Sequence, residues 1–295
     1  MEHQERFELK TVSPPDPNTR TPAFEVPPGA CDAHCHVFGP GDIFPYAETR
    51  KYTPPDAPKE NLRRLHNVLG IERAVIVQAS CHGTDNSAML DAIAASDGRY
   101  RGVCNAAEEF VDEYFDELDE GGIRGVRFNF VKHLGGAPDL DRMWRIIDRV
   151  KHLPWHVELH FDAKDLLEYE DVIDAIPLPV VIDHMGRAPV ADGIDQAPFR
   201  SLLKKLRSSD DLWVKVSGAE RISAAGPPFA DAASFGAACI AAAPNRCIWG
   251  TDWPHPNVKI MPNDADLVDL IPKMMPDKEL QQMVLVDNPA RLFGF

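Results

Sequence analysis

The sequence predicts a single (β/α)8 TIM barrel that follows a proline-rich N-terminal arm. Eight short apolar runs alternate with segments of helical periodicity, which favours parallel βαβ units. The length of 295 residues suits one such barrel. The main competitor, an open doubly wound sheet, would be expected to carry a Gly-rich turn after its first strand, and the sequence contains no G-x-G-x-x-G.

The arm comprises residues 1–28, and the barrel is predicted over 29–295. Six prolines lie among polar residues in the arm. Because proline fixes φ and lacks an N–H donor, we expect an extended segment that lies on its own barrel or wraps a neighbouring copy. A second proline-rich stretch at 39–59 predicts a long loop, which either closes over a substrate or is a surface excursion.

The strands are predicted from runs rich in apolar and β-branched residues. They lie at 30–38, 73–79, 100–107, 123–130, 155–161, 179–184, 212–217 and 246–252. Apolar residues at helical spacing predict the helices between and after them. These lie at 61–69, 85–96, 112–118, 139–151, 165–175, 198–208, 229–242 and 277–286. In a closed barrel the C-terminal ends of all eight strands meet at one mouth, where barrel enzymes carry their chemistry.

The chain is acidic, with 46 Asp and Glu against 31 Lys and Arg and a net charge of -15. This balance argues against nucleic acid and anionic membrane surfaces as partners, but not against a small anionic substrate held by a few arginines. No apolar run approaches a membrane span and no signal peptide is recognisable, so we expect a cytoplasmic protein. The six cysteines lack Cys-x-x-Cys spacing and are expected to be reduced and mostly buried.

Five polar residues are predicted at the mouth of the barrel. His34 and His36 lie two residues apart in the first strand, so their side chains share a face. His160 ends the fifth strand, His184 the sixth and Asp252 the eighth. Each residue alone is consistent with a helix cap or with a core histidine whose hydrogen bonds are satisfied. Their convergence from four strands favours a hydrolytic centre.

The motifs around these residues resemble the amidohydrolase superfamily. They are His34-Cys-His36, His160, Ile-Asp-His184-Met-Gly and Trp-Gly-Thr-Asp252-Trp-Pro-His. Residues 79–86, 122–130 and 288–294 are similar to the lactonase branch, whose members open 2-pyrone-4,6-dicarboxylate and sulfomuconolactone. The resemblance spans nearly the whole chain after the arm.

This resemblance implies a hydrolase of aromatic-compound catabolism in which water attacks the carbonyl of a small anionic lactone. Asp252, alone or with His184, would take the proton of the attacking water. The residues implied in substrate binding are Arg127, Arg221, Tyr52, Ser80 and His133. His133 stands where the pyrone-dicarboxylate lactonases carry an arginine. Because histidine is only partly charged near neutrality, this replacement puts a second carboxylate contact in doubt.

His160 stands where those lactonases carry a tyrosine, and it suggests a metal site. His34, His36, His160 and Asp252 would hold one divalent ion, with Zn²⁺ the expected ion and a position left for water. The alternative is a metal-free mechanism in which the histidines polarise the carbonyl. Two other functions stay open: a metal-dependent decarboxylase of an aromatic or muconate-like acid, and a non-catalytic barrel that binds an anion. The arm also leaves a homo-oligomer open.

Overall fold

The computed structural model describes residues 9–131 and 139–295. Its strands are β1 (Lys10–Thr11), β2 (Cys31–Cys35), β3 (Tyr52–Thr53), β4 (Arg73–Val77), β5 (Tyr100–Cys104), β6 (Ile123–Asn129), β7 (His156–His160), β8 (Val180–Ile182), β9 (Leu212–Lys215) and β10 (Cys247–Ile248). β2 and β4 to β10 pair in parallel, in chain order. The amide of Ala33 donates to the carbonyl of Trp249 at 2.8 Å, which joins the first barrel strand to the last. The predicted (β/α)8 barrel is confirmed.

Helices cover the outside of the barrel. They are α1 (Lys59–Leu69), α2 (Ser87–Ala94), α3 (Asp112–Glu120), α4 (Leu140–Val150), α5 (Ala163–Leu166), α6 (Glu170–Ala175), α7 (Ala197–Ser208), α8 (Ala219–Ile222), α9 (Ala233–Ala242), α10 (Asp264–Val268), α11 (Ile271–Met274), α12 (Lys278–Gln282) and α13 (Asn288–Phe293). The helix predicted at 165–175 is divided into α5 and α6, with residues 167–169 between them. The helix predicted at 277–286 continues from α12 as a π-helix.

The described part of the arm lies on its own barrel. β1 pairs in parallel with β3, inside the loop predicted at 39–59. Arg20 forms ion pairs with Asp266 at 2.6 Å and with Asp269 at 2.7 Å, both at α10. Since β3 carries the buried Tyr52, these contacts help to hold the loop at the mouth of the barrel.

An irregularity in β2 turns His34, and His36 just after the strand, into the barrel. The register between β2 and β4 shifts between Asp32 and Cys35. Ala33 packs in the barrel interior, whereas Cys35, two residues further on, packs in the apolar cluster between sheet and helices. His34 and His36 therefore both face inward, with ring centroids 5.1 Å apart. A β-bulge can re-aim side chains in this way next to an active site.

The end of the interior opposite the mouth is apolar. The side chains in this floor are Cys31, Ala33, Val75, Val77, Val103, Val181, Trp213, Ile248 and Phe293. Phe293 comes from α13 and lies edge-on to His156, the first residue of β7, with ring centroids 5.3 Å apart. The C-terminal helix therefore closes the floor of the barrel.

All six cysteines are free and buried, as their spacing predicts. Burial raises the pKa of Cys35 well above its ordinary value, so this thiol stays protonated near neutrality. Among the helices of the described ranges, none combines the length and the apolar character that crossing a bilayer requires.

Phe293→Ala should lower the free energy of unfolding by about 3–5 kcal/mol, because it removes a fully buried ring and leaves a cavity in the floor. Phe295→Ala is the matched control. The ring of Phe295 is partly exposed between the guanidinium groups of Arg73 and Arg101, and its loss should cost about 1 kcal/mol. Urea unfolding measures both variants, and equal losses would show that Phe293 does not close the floor.

Candidate active site

A cavity opens at the C-terminal ends of the strands, where the sequence predicts the site. It is lined by His36, Tyr52, Ala79, Ser80, Arg127, His160, His184, Arg187, Arg221, Asp252, Pro256 and Asn257. This lining includes every predicted site residue except two. His34 lies directly beneath it, with Nε2 3.7 Å from Oδ1 of Asp252. His133 lies outside the described residues.

Asp252 is buried at the centre, between a cation and the histidines. Its Oδ2 accepts a hydrogen bond from Nε of Arg221, and its Oδ1 lies 3.3 Å from Nε2 of His36. Burial would raise the pKa of Asp252, but the neighbouring guanidinium of Arg221 holds that pKa well below its ordinary value. Asp252 is therefore a carboxylate throughout the neutral range.

His36 presents a lone pair to this carboxylate. Its Nδ1 lies 2.8 Å from the carbonyl oxygen of Val77, which can only accept, so Nδ1 carries a proton. Nε2 of a neutral ring is then an acceptor, and it faces the acceptor Oδ1 of Asp252. Two facing lone pairs require a positive group between them, which is either a proton or a metal ion.

His184 stands on a left-handed turn. The residues from His184 to Arg187 all have positive φ, between 50° and 64°, and only Gly186 is a glycine, so the turn stores backbone strain. It brings Nδ1 of His184 to 2.9 Å from Oγ of Ser217 and Nε2 to 3.7 Å from Oδ2 of Asp252. Burial lowers the pKa of His184 to about 3, so the ring is neutral.

His160 is engaged by an arginine. Nη1 of Arg187 lies 3.3 Å from Nε2 of His160, and because a guanidinium can only donate, Nε2 accepts. Arg187 also donates from Nε to Oδ1 of Asp162 at 3.0 Å. Burial, and after it the positive charge of Arg127, lowers the pKa of His160 well below its ordinary value. His160 is therefore a neutral ring with its proton on Nδ1.

Three ligand atoms are close enough to hold a metal ion. His34, His36 and Asp252 each place one atom within 4.8 Å of the other two, and His160 is not part of this group. Nε2 of His34 is buried without a hydrogen-bond partner. Two imidazole nitrogens and one carboxylate, with a position left open, suit a catalytic divalent ion. The positions of these residues therefore fit a metal ion.

A layer of buried charges separates the mouth from the apolar floor. Arg127 donates from Nε and Nη2 to Oδ2 of Asp183, at 2.9 and 2.7 Å. Lys215 donates to Oε2 of Glu158 at 2.5 Å and to Nδ1 of His34 at 3.0 Å. Burial would raise the pKa of Asp183, but Arg127, Lys215 and His34 hold it well below its ordinary value. Two cations and two carboxylates thus neutralise one another, as buried charges require.

Similarity to known proteins agrees with this geometry. The family model described as Amidohydrolase matches residues 31–295. The chain belongs to the amidohydrolase family. A 2-pyrone-4,6-dicarboxylate hydrolase of Comamonas testosteroni is 47% identical, over 94% of this chain and 93% of its own length. A 4-sulfomuconolactone hydrolase of Rhizobium radiobacter is 44% identical, over 92% of each chain.

A solved structure has the same fold. It is the crystal structure of a probable 2-pyrone-4,6-dicarboxylic acid hydrolase from Acinetobacter baumannii with citric acid bound. It is 30% identical to this amidohydrolase, with a TM-score of 0.80, and the match covers 90% of this chain and 100% of that chain. The resemblance found in the sequence motifs is thereby confirmed.

Sequence reasoning missed Arg187 and most of the charged layer of this amidohydrolase. Arg187 lies three residues after His184, and its position in the cavity depends on the left-handed turn. Glu158 is different, because it lies two residues before His160 and so shares its strand face. Lys215 ends β9 in the same inward orientation. A charged residue at an inward position of an apolar strand is the signal that could have revealed both.

Next to Arg221 lies another buried histidine, outside the cavity. Nε2 of His255 is 2.9 Å from Oδ1 of Asp264, and Nδ1 is 3.5 Å from Oε1 of Glu220. Burial would lower the pKa of His255, but the two carboxylates raise it to about 10, so the ring is an imidazolium. This cation ties the loop after β10 to α8 and α10, and so supports Arg221 in α8.

His255→Gln should change how stability depends on pH. Because the folded pKa of about 10 exceeds the ordinary value of about 6.5, the stabilisation is complete below about pH 6.5 and is lost as pH rises towards 10. Between about pH 7 and 9 the wild-type free energy of unfolding should fall by up to about 1.4 kcal/mol per pH unit more than that of the variant.

Urea unfolding at several pH values measures this difference. The control is His152→Gln, at an exposed histidine, which should keep the wild-type profile. Parallel profiles for wild type and His255→Gln would mean that His255 is not charged in the folded protein.

Proposed function

We propose that this amidohydrolase opens the ring of an anionic lactone, by attack of water on the lactone carbonyl, in the breakdown of aromatic compounds. The observation that carries the proposal is the position of Asp252, an ionised carboxylate between Arg221 and three histidines in a cavity lined by three arginines. The substrate class is supported by two relatives, which are named as hydrolases of a pyrone dicarboxylate and of a sulfomuconolactone.

In the proposed mechanism Asp252 takes the proton of the attacking water. Its Oδ2 is engaged by Arg221, whereas Oδ1 faces the histidines, so Oδ1 is the better base. The neutral His184, with Nε2 3.7 Å from Oδ2, is the second candidate base. Negative charge that develops on the lactone carbonyl oxygen would be stabilised by a divalent ion or, without one, by the histidine cluster.

The anionic substituents of the lactone are proposed to bind the arginines. Arg127 contacts two carboxylates, Asp183 and Glu158. Arg221 also contacts two, Asp252 and Glu220. Arg187 has one carboxylate partner, Asp162, at 3.0 Å, and is the cation with most capacity for substrate.

Neutral donors complete the proposed substrate site. Burial raises the pKa of Tyr52 well above its ordinary value, so its phenol stays protonated and can donate a hydrogen bond. Ser80, which also lines the cavity, supplies a hydroxyl. His133 remains a proposed contact on sequence grounds alone. The substituents of the lactone are either carboxylates or a sulfonate, and this difference decides which substituent contacts Tyr52, Ser80 or His133.

A divalent ion, proposed as Zn²⁺, would be held by His34, His36 and Asp252. Such an ion would supply Lewis-acid polarisation of the lactone carbonyl. His160 would join these ligands only if its Nε2 were released from Arg187. The same ligands suit a metal-dependent decarboxylase, which is the second candidate function.

Purified enzyme should open at least one anionic lactone in a screen of 2-pyrone-4,6-dicarboxylate, sulfomuconolactone, carboxymuconolactone and neutral sugar lactones. Asp252→Asn should lower kcat by about 10³-fold, because it removes the base with little change in shape. Proton release and the loss of ring absorbance measure turnover, and metal analysis with and without chelation tests the Zn²⁺ assignment.

The outcomes separate the candidate functions. Release of carbon dioxide in place of ring opening would favour the decarboxylase. Absence of turnover on every lactone, with anion binding unchanged in Asp252→Asn, would favour a non-catalytic barrel. Less than one equivalent of metal, with activity that survives chelation, would remove Zn²⁺ from the proposal.

Arg187→Gln should raise KM for the anionic lactone by about 10- to 100-fold, because it removes a charge-assisted hydrogen bond to the substrate. KM for a neutral sugar lactone, if one is turned over, should change little. Arg145→Gln is the control, since Arg145 pairs with Glu108 on the surface. An unchanged KM for the anionic lactone would exclude Arg187 from substrate binding.

A further inference from the structure

Lys215 is a fully buried cation within reach of the catalytic cavity, and the mechanism above does not use it. It ends β9 inside the barrel. Its ammonium lies 2.5 Å from Oε2 of Glu158 and 3.5 Å from Oδ1 of Asp183. Both of these contacts are ion pairs with buried carboxylates. Its third contact is not a carboxylate but Nδ1 of His34, at 3.0 Å.

This contact determines where the proton of His34 lies. An ammonium has only donors, so Nδ1 of His34 must accept, and a neutral imidazole then carries its single proton on Nε2. Nε2 is buried and has no hydrogen-bond partner. It is 3.7 Å from Oδ1 of Asp252, which places an unused donor beside the proposed base.

Building on the proposed lactone hydrolysis, we propose that Lys215 is a positioning residue that holds His34 as its Nε2–H tautomer. His34 in this tautomer donates a hydrogen bond to the lactone carbonyl oxygen and offers no lone pair to a divalent ion, which favours the metal-free alternative over the Zn²⁺ site. A preorganised donor of this kind stabilises the negative charge that develops during water attack.

The opposite tautomer is available if Lys215 is removed. Oδ1 of Asp183 lies 3.3 Å from Nδ1 of His34, and Oε1 of Glu158 lies 3.8 Å from it. Both oxygens are buried without a hydrogen-bond partner. Either would accept a proton on Nδ1, and the lone pair of Nε2 would then face the cavity as a metal ligand. Lys215 thus determines whether Nε2 of His34 is a hydrogen-bond donor or a metal ligand.

The tautomer can be observed directly in the wild-type enzyme. A long-range ¹H–¹⁵N spectrum of the histidine rings distinguishes Nδ1–H, Nε2–H and imidazolium, and the His34 signals are those missing in His34→Gln. The proposal expects Nε2–H for His34. A proton on Nδ1, or on both nitrogens, would overturn it. This result does not depend on turnover, so it stands even if no lactone is hydrolysed and the proposed function fails.

Lys215→Met tests whether Lys215 sets the tautomer of His34. His34 should change to the Nδ1–H tautomer, and kcat should fall by about 100-fold with KM changed little, as for the loss of one donor to an oxyanion. Zinc affinity, measured by titration of the protein, should rise by about tenfold or more. Lys205→Met, which removes a lysine paired with Asp174 on the surface, is the control and should change none of these.

Because Lys215→Met leaves Glu158 without its closest cation, a second variant combines it with Glu158→Gln. The remaining buried charges, Arg127 and Asp183, still pair with each other in this variant. It should show the same tautomer, kcat and zinc affinity as the single variant. An unchanged tautomer and zinc affinity in a folded variant would mean that Lys215 is only structural and would overturn the proposal.

Discussion

The site depends on the buried layer of charges beneath it. Arg127 with Asp183 and Lys215 with Glu158 form two ion pairs that cost desolvation but neutralise each other inside the barrel. Their rigid donors and acceptors orient His34 from below. Because the layer itself is neutral, the cations that face the cavity above it remain available to a substrate anion.

In the proposed mechanism, Arg221 would connect substrate binding to the strength of the base. In the free enzyme it pairs with Oδ2 of Asp252, which helps to hold the pKa of that carboxyl well below its ordinary value. A carboxylate with so low a pKa is a weak base. If an anionic substituent of the substrate shared Arg221, as proposed, Asp252 would lose part of this stabilisation and its basicity would rise. The proposed base would then be strongest with an anionic lactone in place, and the cavity would prefer charged substrates at the chemical step.

Features that depend on local burial, such as the strands, are predicted by the sequence. Features that depend on closure of the barrel are not. The eight strands follow from apolar runs, and His36, His160, His184 and Asp252 do line one cavity at their ends. Strict alternation of side chains along a strand predicts that His34 and His36 face inward. In the structure their inward orientation depends on a β-bulge. That bulge packs on Gly250, where a Cβ would lie 2.4 Å from the amide nitrogen of His34. No local pattern records a contact between residues so far apart in the chain.

His34 shows how one scaffold can carry two chemistries that differ by the position of a single proton. With the proton on Nε2 it is a donor to an oxyanion, and with the proton on Nδ1 it is a metal ligand. The pair of His36 and Asp252 already presents two facing lone pairs, which a proton or a metal ion would satisfy equally well. The choice therefore rests on the groups behind His34, where Lys215 competes with Asp183 for Nδ1. A lysine at the end of the seventh barrel strand is thus expected to separate metal-free from metal-dependent lactonases that share the same histidines at the mouth.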